Sequence, residues 1–235
     1  MSKYKIILKK TMNQENKTNS IPLQGLGVDR KEIEIMAPAG SWESLSAAIK
    51  AGADSVYFGI EKLNMRSKSS SNFTTEDLRE IVRICKENNV KSYLTVNTIL
   101  YDNDLTLMRE IIDVAKEVQV SAIIAADVSA LMYANSIGVE VHLSTQLNIS
   151  NVEALKFYAQ FADVVVLARE LNMEQVAEIY QAIITDNIRG KGGELIRIEM
   201  FCHGESEHKA GSSFIHYGQP VMEIRPSGQL AFELV

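Results

Sequence analysis

Cysteine, proline and tryptophan are scarce: the 235 residues contain 2, 4 and 1 of them. Two cysteines, Cys85 and Cys202, exclude a disulfide scaffold. Four prolines and 13 glycines exclude a collagen-like rod. Long hydrophobic runs are missing too, and a stretch such as Val164 to Ala168 is far too short to span a bilayer. Positive charge is in deficit: 24 Lys and Arg against 30 Asp and Glu leave a net charge of -6. An acidic chain is a poor non-specific binder of nucleic acid. Sparse cysteines and no secretory leader point to a reducing, cytoplasmic setting with no membrane partner.

What is present is ordinary globular usage, 46% hydrophobic and 23% charged. That composition excludes wholesale disorder and a coiled coil. A chain of this length can bury one sizeable core. Residues 1–31 stand apart, with Lys3, Lys5, Lys9, Lys10 and Lys17 among many polar residues and little periodicity. Ile6-Ile7-Leu8 is too short for the core of a signal peptide. This segment is expected to be a disordered extension.

From Glu32 onward, short apolar runs alternate with amphipathic stretches. The runs are Ile33–Ala37, Ser55–Phe58, Lys91–Val96, Ala122–Ala125, Val139–Leu143, Asp163–Leu167 and Leu195–Phe201. Helices are expected over Trp42–Ala51, Thr75–Asn88, Leu105–Val118, Val128–Ile137, Val152–Gln160 and Met173–Thr185. Their starts carry the cap candidates Ser41, Thr74 or Thr75, and Asp104, and Gly138 ends the fourth. Such alternation predicts an α/β fold with a parallel sheet.

Two closures compete, an open doubly wound sheet and a (β/α)8 barrel. The first strand–helix turn lacks G-x-G-x-x-G, which weakens the dinucleotide-binding open sheet. Several runs also alternate apolar and charged residues, unlike parallel strands buried on both faces. Glu34 interrupts the first; Glu140, His142 and Ser144 share one face of the fifth; Arg197 and Glu199 share one face of the seventh. A barrel gives these faces a common interior, where the charges must pair. The expectation is therefore an incomplete TIM-like barrel of about six βα units plus a seventh strand, because no helix follows Phe201. Residues 32–204 form the barrel, 205–235 an atypical tail with short strands at Phe214–Tyr217 and Leu230–Val235. An unfinished barrel leaves open strand edges, which predicts homo-oligomers through that edge.

Active sites of such barrels lie at the C-terminal strand ends. Those ends carry Gly40 with Ser41, then Arg66, Asn97, Asp127, Ser144 with Gln146, Arg169 with Glu170, and His203. The turn at Gly40 and Ser41 could hold an anion on free N–H groups. Ser144, His142 and Asp127 are the candidates for a Ser-His-Asp arrangement, without a G-x-S-x-G elbow to position a nucleophile. Cys202, His203, His208 and His216 match no standard zinc spacing, so no metal site is expected. Cys85 sits on the apolar face of its helix, as a core cysteine does.

Longer motifs carry a resemblance. Ile35-Met36-Ala37-Pro38-Ala39-Gly40-Ser41, Gly52-Ala53-Asp54-Ser55-Val56-Tyr57-Phe58-Gly59 and Leu63-Asn64-Met65-Arg66 resemble the collagenase-like peptidase family U32. So do Tyr93-Leu94-Thr95-Val96-Asn97-Thr98, Val141-His142-Leu143-Ser144-Thr145-Gln146, Val166-Leu167-Ala168-Arg169-Glu170-Leu171 and Ile198-Glu199-Met200-Phe201-Cys202-His203-Gly204. The resemblance covers about residues 32–204. It implies a barrel-like peptidase domain. Other members support hydroxylation of tRNA or rRNA pyrimidines, or of a quinone precursor, and hold an iron–sulfur cluster through four cysteines. The first two of those cysteines follow the His-Gly motif, where this chain has Glu205-Ser206-Glu207-His208 instead. No cofactor is therefore expected here. The main expectation is a peptidase acting on peptides, with Glu170 and His203 catalytic. Gly40, Arg66, Asn97, Ser144, Gln146 and Arg169 would bind substrate. The alternatives are an RNA hydroxylation factor and a truncated or frame-shifted, non-catalytic remnant.

Overall fold

In the computed structural model, residues 5–8, 33–61, 63, 73–201, 220–224 and 230–234 are described. The chain order begins with β1 (Lys5–Leu8), β2 (Ile33–Pro38), α1 (Trp42–Lys50), β3 (Ser55–Gly59), α2 (Thr75–Glu87) and β4 (Lys91–Val96). It continues with α3 (Leu105–Val118), β5 (Ala122–Ala125), α4 (Val128–Ser136), β6 (Val141–Leu143) and α5 (Val152–Ala159). Then come β7 (Val164–Val166), α6 (Met173–Thr185), β8 (Arg197–Phe201), β9 (Pro220–Ile224) and β10 (Leu230–Leu234). Strands β2 to β8 pair in parallel with their sequence neighbours, and the six helices alternate with them. This is the TIM-like α/β architecture that the alternating pattern predicts.

The ring closes differently from expectation. β1 pairs antiparallel with β2 and also antiparallel with β8, completing a closed eight-strand barrel. Part of the extension expected to be disordered is therefore a stave of the barrel. The physical reason is edge satisfaction: without it β2 and β8 would each present unpaired N–H and C=O groups. An antiparallel strand can fill that gap without a crossover helix. The open edge invoked for oligomers is thus occupied. In the tail, β9 and β10 form a separate antiparallel pair, with Leu230 opposite Ile224 and Phe232 opposite Met222. The strand expected at Phe214–Tyr217 lies outside the described residues.

Local chemistry explains the helix boundaries. Ser41 and Ser44 form a capping box on α1, and Thr74 and Asp77 form one on α2. Asp104 departs from expectation. Its carboxylate accepts from the Tyr101 N–H at 2.9 Å, inside a short 3-10 turn, and makes no side-chain cap on α3. Gly138 follows α4 at φ +79°, a left-handed position that costs glycine nothing. Each helix buries one stripe. On α2 it is Leu78, Ile81, Val82 and Cys85, and on α3 Met108, Ile111, Ile112 and Ala115. These stripes pack on the outward faces of the strands, including Val56, Phe58, Leu94 and Val96. A second, smaller apolar cluster fills the barrel interior: Met36, Tyr57, Tyr93, Ala122, Ile124 and Val164. Two buried layers therefore fix the strand register, and with it every strand end.

Candidate functional site

The interior apolar cluster shares the barrel with charge. Glu34 on β2 is fully buried. Its Oε2 lies 2.8 Å from Lys91 Nζ, and its Oε1 accepts the Tyr93 hydroxyl at 2.6 Å. Burial works to raise the Glu34 pKa, but Lys91, Tyr93 and Ser55 outweigh it and hold the carboxyl below its usual range. Tyr93 is pushed up, first by burial and then by the Glu34 charge. The second half of the network centres on His142, also fully buried. Its Nε2 is 3.3 Å from Glu140 Oε1, and its Nδ1 is 3.7 Å from Glu199 Oε2. Arg197 Nη2 donates to Glu140 Oε1 at 2.9 Å. The His142 ring lies 4.8 Å from the Tyr93 ring, which brings the two halves together.

The ion pairing expected from the alternating strands is therefore present. Lys91 and Tyr93 were not among the residues singled out from sequence. Their signal was available, because Lys91, Tyr93, Thr95 and Asn97 follow the two-residue period of β4. The Ser-His-Asp arrangement does not form. His142 engages the carboxylates of Glu140, just before β6, and Glu199 on β8, while Asp127 caps α4 through the Ser129 N–H at 2.8 Å.

Above this network is the C-terminal rim. Ser144 is buried one residue past β6, and its N–H donates to the Ala125 carbonyl at 2.8 Å. Asn97, one residue past β4, approaches Ser144 Oγ with its Nδ2 at 3.4 Å. The Gln146 N–H also reaches Ser144 Oγ at 3.4 Å, and the Gln146 residue is exposed. Arg169 and Glu170 are exposed in the turn after β7. The Arg169 guanidinium lies over the Phe201 ring at 4.7 Å, a cation–π contact that sequence reading missed. Large apolar side chains are exposed on segments that follow strand ends: Trp42, Ile99, Tyr101 and Val128.

Gly40 behaves differently from expectation. The Gly40 and Ser41 N–H groups both donate to Ser44 Oγ at 2.9 Å. The donors proposed for an anion are already used by the capping box. Arg66 and His203, with His208 and His216, lie outside the described residues. Among the described residues, no group of three or more His, Cys, Asp or Glu could hold a metal ion. No helix among them is long and apolar enough to cross a membrane.

Cys85 is fully buried, and burial pushes its thiol up to about 11. Cys202 is the other thiol of the chain. A four-thiolate iron–sulfur cluster therefore does not fit the residues of this chain. In a Cys202→Ser variant, an aromatic disulfide reagent is expected to find no reactive thiol until the protein is unfolded. Rapid labelling of the native variant would show that α2 opens.

A family model described as peptidase family U32 matches residues 40–208. A protein named collagenase from Porphyromonas gingivalis is 69% identical over 173 residues, 74% of this chain and 42% of that protein. The tRNA hydroxylation protein P1 of Bacillus subtilis is 32% identical over 82% of this chain and 44% of its own length. The chain thus spans less than half the length of these relatives. A solved structure titled as the U32 peptidase Mk0906 superposes with a TM-score of 0.52 at 16% identity, covering 61% of this chain and 62% of that one.

Proposed function

The chain belongs to peptidase family U32, and from that membership we propose that it is a collagenase-like peptidase domain binding an extended peptide across the C-terminal rim. The observation that carries this reading is the much higher identity to the collagenase than to the RNA-modifying relative over similar lengths of this chain. Asn97, Ser144 and Gln146 supply amide and hydroxyl groups that can hydrogen-bond peptide carbonyls and N–H groups. Arg169 supplies a fixed cation for a carboxylate or a developing oxyanion, its plane supported by Phe201. The exposed Trp42, Ile99, Tyr101 and Val128 provide apolar contact for substrate side chains.

Glu170 is the proposed general base. Its carboxylate takes a proton from water as the oxygen attacks the scissile carbonyl carbon. The same proton then passes to the departing amine as the C–N bond breaks. His203 is proposed as a second proton carrier at this site. Purified chain should cleave peptides from a collagen-derived panel, and Glu170→Gln should lower kcat by about 10²-fold or more. An unchanged rate would remove Glu170 from the mechanism, and no cleavage of any peptide would sink the peptidase reading.

A second reading, an RNA hydroxylation factor, is favoured by the 32% identity to the tRNA hydroxylation protein. It predicts hydroxylated pyrimidines in RNA only when the chain is expressed, measured by nucleoside mass spectrometry. The acidic composition and the misfit of a four-thiolate cluster weigh against it.

A further inference from the structure

The rim and the buried charge network are joined through two strands. His142 lies on β6 two residues before Ser144, and Glu199 lies on β8 two residues before Phe201. With a period of two, each pair points to the same side of the barrel wall. The imidazole bridges these strands, with Glu140 at one ring nitrogen and Glu199 near the other. The flanking strands add no charge at this level, since His142 is in register with Ile124 on β5 and Val164 on β7.

We propose that His142 is a positioning residue that makes the rim site proton-dependent. As an imidazolium between Glu140 and Glu199 it ties β6 to β8, and so fixes Ser144 on one strand and the Phe201 platform under Arg169 on the other. This deepens, and rests on, the reading of that rim as a substrate site.

Among the described residues, the charged and titratable groups around His142 fit this role. Glu140, one residue before β6, and Glu199 on β8 favour the cation, and Arg197 on β8 is engaged with Glu140. Tyr93 on β4 presents its ring and gives its hydroxyl to Glu34 on β2, which Lys91 on β4 neutralises. Tyr57 on β3 is the remaining titratable side chain of the interior cluster. Burial alone would push the His142 pKa down, but the hydrogen bond to Glu140 and the two carboxylate charges outweigh it and raise it. Losing the proton removes the positive charge that faces Glu140 and Glu199, and with it the electrostatic tie between the imidazole and the buried Glu199 carboxylate.

The test needs no peptidase activity. Histidine side-chain NMR on the unmodified chain, across pH, reads the protonation of each of the 4 histidines, with His142→Gln identifying the signal. Hydrogen exchange, expressed as protection against intrinsic rates, reads the rim backbone at residues 144–147 and 199–201. The expected result is an imidazolium at His142 that persists above pH ~6.5, with rim protection falling about tenfold as that proton is lost. In His142→Gln, protection should be low and independent of pH. A neutral His142 at pH ~6, or rim protection that stays constant through its titration, overturns the proposal. Peptide binding measured in parallel separates the two readings. Proton-linked protection without any peptide binding keeps the device and removes the substrate assignment.

Discussion

Lys91→Met is expected to lower the unfolding free energy by about 3–5 kcal/mol, more than Glu34→Gln at its partner. The asymmetry comes from burial. The Glu34 side chain is 0% exposed and the Lys91 side chain 47% exposed. Removing the lysine strands a carboxylate inside the barrel with the Tyr93 hydroxyl as its one side-chain hydrogen-bond donor among the described residues. Removing the carboxylate charge, as in Glu34→Gln, leaves an ammonium that can turn to water. That variant should cost about 1–3 kcal/mol, the scale of an imperfectly satisfied buried group. The double variant should recover much of the Lys91→Met loss, because the two sites share one interaction. The defect should also shrink as pH falls. Without Lys91 the folded-state pKa of Glu34 rises above its unfolded value, so protonation relieves the strain. Urea unfolding of the four proteins at two pH values decides this. Equal losses for the two single variants would mean that Glu34 is neutral in the native barrel.

The same interior shows which features a sequence can carry. Alternation on β2, β6 and β8 marked Glu34, His142 and Glu199 as members of one polar interior, because a strand's two faces are readable from its period. Which acid meets which base was not readable, since that depends on stagger between strands far apart in sequence. Lys91 reaches Glu34 across 57 positions, and Arg197 reaches Glu140 across 57. The rim was legible as a set of strand ends and no further. Asn97 beside Ser144 and Arg169 over Phe201 depend on side-chain direction, which spacing does not encode. Gly40 was misread for a related reason. The turn signal was sound, but Ser44 competes for the donors that an anion would need. β1 was missed because its four residues lack periodic context. It is recruited by two edges formed elsewhere in the chain.

Stability should trace a plateau with two limbs, both set by the charge network of the barrel. On the acid side, Glu140 is the clearest case. Burial works to raise its pKa, yet His142 and Arg197 hold it at about 2 against an ordinary 4.5. Glu34 is lowered as well. Between pH 4.5 and about 2 the unfolded chain therefore binds more protons than the native one, so stability falls as pH falls through that window. On the alkaline side the sign reverses. The raised pKa of His142 gives a contribution fully present below its ordinary 6.5 and lost as pH rises through the folded value. Surface pairs such as Arg79 with Glu117 are half-exposed and add little. Moderate salt should therefore leave the alkaline limb in place and weaken the acid limb in part, because His142 and Glu199 are buried while the Glu140 side chain is 41% exposed. Glu140→Gln separates this account from a general charge effect, because Glu140 serves both limbs. It should flatten the acid limb and, by removing one support of the imidazolium, move the alkaline limb to lower pH. Thermal melts across pH read both at once. A Glu140→Gln variant that shifts neither limb would place the pH dependence outside the barrel core.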